Sequence, residues 1–413
     1  MQLLAGIGAV VGVDAVVEQQ NRNMLKWTLI VIAAMQMPHI AILPGTNLIA
    51  TEVFSEYPIQ TIQTAMSSPG VFSVISSLLS GMLMRYGIAT KKSMTVLGLA
   101  FIAIAGVAAL FLHSHFWQLW LLNCLIGTGT GIFVPSSQSL MFDSFDENTR
   151  HFMTGIQFSF INGGGLVLSY LCGLLIAVKW YGGHALMLVA IPFAVAAYIV
   201  IPKGVREKPV KSGGAAKTKI PPRVYYYAFI VFIYIIMYSA AALNVSTHIE
   251  QGAMGDPSMA GIATALLMGG ATVSGYIIPK ISKGLHDHIF SVAFILLAVA
   301  FGLMSLFPES LAITLSAMFI VGISMSMIVP RCIFQASNLS DPTNSSTITV
   351  LVCSVAASVG NICSPLIITN LTLAIGGEST RFRFLFTMFV CLALTVLIFI
   401  YNYYMDKRVK INE

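Results

Sequence analysis

The chain has 413 residues, of which 57% are hydrophobic and only 9% charged, with a formal net charge of +6. A soluble domain carries about 25% charged residues, and here apolar runs of about 20 residues, each long enough to cross a bilayer, recur from end to end. That excludes a soluble protein, and it excludes a β-barrel, whose strands would alternate in segments of about 10 residues.

Residues 1–23 read as an N-terminal extension. Leu3 to Val13 is apolar but too short to span, Asp14 and Glu18 close it, and it lacks the basic start and cleavage site of a secretory signal. A first bundle, 24–202, holds six expected spans at 26–50, 59–84, 92–112, 116–141, 152–178 and 184–202. Residues 203–223 form a basic linker with seven Lys or Arg, Ser212-Gly213-Gly214 and Pro221-Pro222, suited to lying on a membrane surface. A second bundle, 224–405, holds spans at 224–248, 258–280, 288–307, 310–336, 345–374 and 382–404, and 406–413 is a tail.

Basic residues crowd one side of this arrangement: Arg22, Lys26, Arg85, Lys91, Lys92, Arg150, the linker, Lys280, Lys283, Lys407, Arg408 and Lys410. The other side has Lys179, Arg381 and Arg383. The positive-inside rule then places both termini and the linker in the cytoplasm of a multi-pass protein of the cytoplasmic membrane. The same distribution reads the positive charge as membrane orientation, with no nucleic-acid partner. The six cysteines lie scattered in apolar segments without CxxC spacing, so neither a disulfide framework nor a metal site is expected.

The two bundles repeat each other. Ile126 to Pro135 reads IGTGTGIFVP and Val321 to Pro330 reads VGISMSMIVP. Gly127, Val134 and Pro135 align with Gly322, Val329 and Pro330 at one offset, which Asp146 and Asp341 keep. Gly81 to Arg85 pairs with Gly275 to Lys280 to within a residue. Gly127, Gly129, Gly131 and the run Gly163-Gly164-Gly165 permit close helix contact. Pro38, Pro44, Pro69, Pro135, Pro192, Pro279, Pro330 and Pro365 interrupt the spans, as static kinks or as points of movement.

Twelve spans, a six-plus-six repeat and a basic central loop resemble the major facilitator superfamily from about Met24 onward. The loop after the second span carries the most specific sign. Arg85, Tyr86 and Gly87, followed by Lys91-Lys92, resemble the family's Gly-x-Leu-Ala-Asp-Arg-Phe-Gly-Arg-Arg signature, with Met84 at the Asp position. Its mate keeps Gly275, Lys280 and Lys283, with Pro279 at that position. In the fourth span the glycines of Arg-x-x-x-Gly-x-Gly-x-Gly are present, but Asn123 stands in place of the arginine, and no Pro follows Gly163 to Gly165. The resemblance implies an all-α polytopic fold of two pseudo-symmetric six-helix bundles. It implies a path lined by the first, fourth, seventh and tenth spans, and gating by Arg85, Gly87, Lys280, Pro135 and Pro330.

Arg331 follows the second repeat and reads as the one Lys or Arg deep inside a span, with no evident carboxylate partner. A charge in the membrane costs at least about 2.5–3.5 kcal/mol and is rarely idle. It reads either as a fork for an anionic substrate or as the cap of a cytoplasmic gate, bonded to backbone carbonyls, Asp341 or Asp146. Polar residues run in stripes: Gln36, His39, Thr46 and Asn47 on one face of the first span; Gln60, Gln63, Thr64 and Ser67 on the second; Ser324, Arg331, Gln335 and Asn338 on the tenth. Gln157, Tyr234, Tyr238, Asn244 and Asn361 add single polar groups. His39 is the candidate proton carrier, or else a neutral cavity histidine. An enzyme would need a metal cluster, an acidic pair or an activated nucleophile inside the membrane, and none is written here.

The expected function is secondary transport of a small organic anion, carboxylate-bearing or amphipathic, by alternating access. Arg331, His39, Gln36, Asn47, Gln157, Tyr238, Asn244, Gln335 and Asn361 are the candidate substrate contacts. The alternative is efflux of drugs or other hydrophobic compounds. The expected partners are the substrate, the bilayer and either a coupling ion (H+ or Na+) or a counter-substrate. A monomer without a cofactor is expected.

Overall fold

A computed structural model describes residues 20–202, 221–281, 288–338 and 345–412. Among these residues, twelve helices are long and apolar enough to cross a membrane. We label them α1 (Gln20–Val53), α2 (Ile59–Met84), α3 (Lys91–Ala109), α4 (Phe116–Met141), α5 (Ser159–Val178), α6 (Gly182–Val200), α7 (Pro222–Gln251), α8 (Ser258–Gly275), α9 (Ile289–Leu306), α10 (Leu311–Cys332), α11 (Val355–Ala374) and α12 (Thr380–Tyr404). The spans match the expected order, with shifted ends. Residues 20–23 already belong to α1, and α12 continues helically through Asn412, so the expected tail is no separate element. Residues 1–19 and 203–220, which hold most of the expected extension and linker, lie outside the described residues, as do Lys283 and Asp341.

Large apolar side chains such as Phe111, Val178 and Ile199 stay exposed on the surface, as a lipid-facing bundle requires. The end of the bundle where α6 stops and α7 starts is called the linker end below, and the opposite end the far end. At the far end Phe54 sits edge-on to Phe116 and Trp180, with ring centroids 5.7 and 5.6 Å away. Such an aromatic cap is typical of a membrane interface.

Local signals explain the helix ends. Thr90 and Ser93 form a reciprocal capping box at the start of α3: Ser93 N–H donates to Thr90 Oγ1 at 3.1 Å and Thr90 N–H to Ser93 Oγ at 3.0 Å. Gly87 closes the helix Pro69–Arg85 with φ of 67°, a left-handed conformation that favours glycine. This accounts for the Gly of the Arg-Tyr-Gly sequence. The Arg85 and Lys280 side chains lie outside what the structure describes. Met84 is buried against α4, where Ser136 Oγ points at its sulfur, so an apolar contact stands at the family's Asp position. Asp146 caps the helix Glu147–Val178 that contains α5. Thr149 donates to it from Oγ1 at 2.7 Å and from N–H at 3.2 Å, and these bonds hold its carboxyl below the usual carboxylate range.

The internal repeat is also a repeat of contacts. A Cβ on Gly127 or Gly131 would strike the backbone of α2 at Pro69 and Ser73. In the second half, a Cβ on Gly322 would strike α8 at Leu267, and Ser326 Oγ donates to the Ala271 carbonyl at 2.9 Å. The contacted residues, Pro69/Ser73 and Leu267/Ala271, keep one offset of their own. Small residues therefore let α4 meet α2 and α10 meet α8 backbone to backbone. Pro135 and Pro330 sit inside the helices Phe116–Ser144 and Leu311–Asn338, which continue past them. As gates they would act through bending, because neither opens a break.

Candidate functional site

The sequence places Gln36, His39, Thr46 and Asn47 along one face of a helix. The structure corrects this, because α1 is not one helix. It is regular over residues 20–32, tightens to a 3-10 turn at Ala33–Met35, and leaves helical geometry at Met37. It resumes at Pro38–Ala41, tightens again at Leu43–Gly45, and widens to a π-helix at Ile49–Val53. Two prolines explain most of this. Pro38 and Pro44 carry no N–H, so the carbonyls of Ala34 and Ile40 lose their helical donors. Non-helical backbone at membrane depth is tolerated where protein buries it or where it lines a water-filled cavity.

The first condition is met around the break. Gly164 of α5 packs so closely on Ala34 that a Cβ would strike its backbone. Gln157 Nε2 donates to the Leu29 carbonyl at 3.3 Å and braces the helical part of α1. Leu43–Gly45 packs on α7 and α8 of the other half. His39 is half-buried and makes no hydrogen bond to a described residue. Gln36 is buried with Nε2 unpartnered. Broken spans at the interface between repeats are where transporters place their substrate sites.

A second polar group lies at the far end and joins the halves. Gln63 of α2 is fully buried. Its Nε2 donates to Asn244 Oδ1 at 3.0 Å, and its Oε1 accepts from Thr369 Oγ1 at 2.8 Å. Asn47 N–H donates to Ser246 Oγ at 3.2 Å. These hydrogen bonds between the halves cluster here. The Asn244 amide is oriented by its Nδ2, which donates to the Ala240 carbonyl at 2.8 Å. Its Oδ1 is therefore turned to Gln63 and to a third partner, Arg383 of α12, whose Nη1 donates to it at 2.9 Å.

Arg383 is what the sequence reading missed. The sequence places it with Arg381 on the outer side, at the very start of the last span, and leaves Arg331 as the one cation deep inside a span. Arg381 is indeed exposed, but Arg383 is only 3% exposed and stands one turn inside α12. The start of α12 explains its depth. Thr380 donates to Gln251 Oε1 from N–H at 2.9 Å and from Oγ1 at 2.8 Å. With its hydroxyl proton so used, Thr380 Oγ1 accepts from His248 Nδ1 at 2.9 Å. These bonds to α7 begin the helix above Arg383 and carry the guanidinium down into the seam beside Asn244. The signal in the sequence was Glu378-Ser379-Thr380, a helix-start composition placed ahead of the arginine.

The other expected contacts are dispersed. Arg331 lies at the linker end of α10, second from the end of the span, half-buried, with Nε buried and unpartnered. Gln335 follows one turn later. Tyr238 is buried in α7 with its hydroxyl unpartnered. Asn361 Oδ1 accepts from Ser239 Oγ at 2.8 Å. Of the tenth-span stripe, Ser324 is taken up by Tyr234, at 2.9 Å between hydroxyls. No group of three metal-ligating side chains occurs among the described residues.

The comparisons agree with this architecture. The family model of the Major Facilitator Superfamily matches residues 23–352. No curated protein sequence matches the chain. Among solved structures, a POT family transporter in complex with a thioalcohol-conjugated peptide is similar, with a TM-score of 0.72 at 13% identity, covering 91% of this chain and 96% of that one. A POT family transporter in complex with 5-aminolevulinic acid gives 0.70 at 14% identity, covering 91% and 95%. The POT family transporter PepTSo gives 0.69 at 14% identity, covering 93% and 98%. Identities this low speak for the fold. With the family match over most of its length, the chain belongs to the Major Facilitator Superfamily and is a multi-pass membrane transporter.

Proposed function

We propose that the protein is a secondary active transporter of a small organic anion across the cytoplasmic membrane, working as a monomer with both termini in the cytoplasm. One observation carries this reading. The described spans contain one buried arginine, Arg383, and one half-buried, Arg331, but no buried carboxylate. The Nε atoms of Arg331 and Arg383 are both buried without a partner. Glu52 and Glu250, the acids within the spans, are exposed at their far ends. Intramembrane charge is costly unless it is used, and an unpaired guanidinium is a planar fork for a carboxylate or sulfonate. The 5-aminolevulinic acid held by one solved neighbour is a small acid of this class.

In this reading Gln36, His39 and Tyr238 orient the substrate beside the break in α1, and Arg331 attracts its charge at the linker end. His39, free of hydrogen bonds to described residues, is the group placed to take up a coupling proton. Efflux of hydrophobic cations fits less well, since the described spans offer a cation no buried acid.

The test is uptake into proteoliposomes of 5-aminolevulinate, dipeptides, benzoate and a cationic dye. Arg331→Gln should cut anion uptake by at least about tenfold, the equivalent of about 1.4 kcal/mol. Unchanged anion uptake in this variant, together with pumping of the dye, would refute the proposal.

A further inference from the structure

Arg383 is a buried cation whose contacts are all neutral. Nη1 donates to Asn244 Oδ1 at 2.9 Å and Nη2 to the Glu378 carbonyl at 3.3 Å, while Nε is buried without a partner. Breaking or omitting the counterion of a buried charge is strongly destabilising. A guanidinium kept at 3% exposure with neutral acceptors alone is therefore an unmet demand for an anion. The orphaned Nε, next to a weakly bonded Nη2, is the edge that receives a carboxylate side-on.

The position of that edge ties it to the two halves. Asn244 and Arg383 both belong to the second half and are joined to each other. Gln63 belongs to the first half and reaches across to Asn244 Oδ1, the atom that Arg383 also uses. It further bonds Thr369 and lies near the Leu243 carbonyl, at 3.5 Å. Gln63 thus plugs the seam as a neutral amide. When the halves part at the far end, Gln63 leaves with the first half. Asn244 and Arg383 stay together, and the guanidinium faces the opening.

The geometry points to Arg383, positioned by Asn244, as an anion-binding subsite at the far end of the bundle, covered by Gln63 while that end is closed. It takes a carboxylate or a like-shaped oxyanion. This deepens the transport reading above: it gives the far end its own recognition group, separate from Arg331 at the linker end. Anion arriving from that side would pair first with Arg383, and closure would restore Gln63 to Asn244 as the substrate moves inward.

The experiment maps arginine modification by phenylglyoxal, peptide by peptide, in the full-length detergent-solubilised protein, with 5-aminolevulinate or benzoate as probe. In the closed protein Arg383 should be modified slowly. Gln63→Ala should raise its modification by about tenfold, and either carboxylate should suppress that gain by a similar factor. Arg383→Lys should keep charge-dependent binding of the probes at reduced affinity, whereas Arg383→Gln should lose it. Arg383 that remains unmodified in Gln63→Ala, or that is modified equally with and without carboxylate, overturns the proposal. The two readings fail separately. Protection of Arg383 without uptake of any anion removes the transport reading and leaves the subsite. Uptake that depends on Arg331, with Arg383 unprotected, does the reverse.

Discussion

The first spans of the two halves, α1 and α7, hold equivalent places in the repeat and are built in opposite ways. α7 is one helix over Pro222–Gln251, with no proline after its first turn and nearly every residue from Tyr234 onward buried. α1 changes geometry repeatedly between Ala33 and Val53 and carries Pro38 and Pro44 in its middle. The rigid member supplies fixed partners: Asn244, Ser246, His248 and Gln251 each hold a group on another helix. The broken member supplies free groups: the Gln36 Nε2 and the His39 ring. A pseudo-symmetric scaffold has thus divided bonded and unbonded polar groups between two copies of one element.

That division can be broken from either side. The largest effect is expected from Ala241→Pro, which puts a break into α7 where the repeat tolerates one only in α1. It removes a helical hydrogen bond and adds a clash with the preceding turn, at a cost of about 3 kcal/mol or more. Thermal unfolding in detergent should show a clearly lower midpoint, and an unchanged one would mean that α7 is not the anchor. Next comes the converse, Pro38→Ala, which returns a donor to the Ala34 carbonyl and favours a straight α1. Uptake should fall by about tenfold while the unfolding midpoint holds or rises; full uptake would remove the break from the transport site. The smallest effect is expected from Ser246→Ala, which takes away the acceptor of the Asn47 N–H. A loss of about 1 kcal/mol is expected, read as faster amide exchange over residues 46–53. Exchange at the wild-type rate would show that this bond does not help hold the far end together.

The sequence makes much of this legible. Span number follows from hydropathy alone, since each run must cover the same membrane thickness. The contact repeat is visible because close backbone approach demands small residues at fixed places, as at Gly127, Gly131, Gly322 and Ser326. The break in α1 is only half legible. Pro38 and Pro44 announce it, but a helical stripe drawn through Gln36, His39 and Asn47 presumes the very periodicity that the prolines destroy. Arg383 was hidden for another reason. Its distance from the last loop is a single turn, and hydropathy cannot tell a residue facing the headgroups from one pulled into a seam. That depends on His248, Asn244 and Gln251, more than 120 positions away in the chain, and no local pattern contains them.

Gly173 of α5 and Gly261 of α8 meet at the far end, where a Cβ on either would strike the Cα of the other. Two bare backbones touching at a point form a bearing. No side chain interlocks at that crossing, so the crossing itself offers little resistance to tilting, although nearer the linker end Met268 packs on Gly165 and Leu166 on Gly269. A tilt of one half against the other there would have to break the polar bonds that join them nearby, from Gln63 to Asn244 and from Thr369 to Gln63.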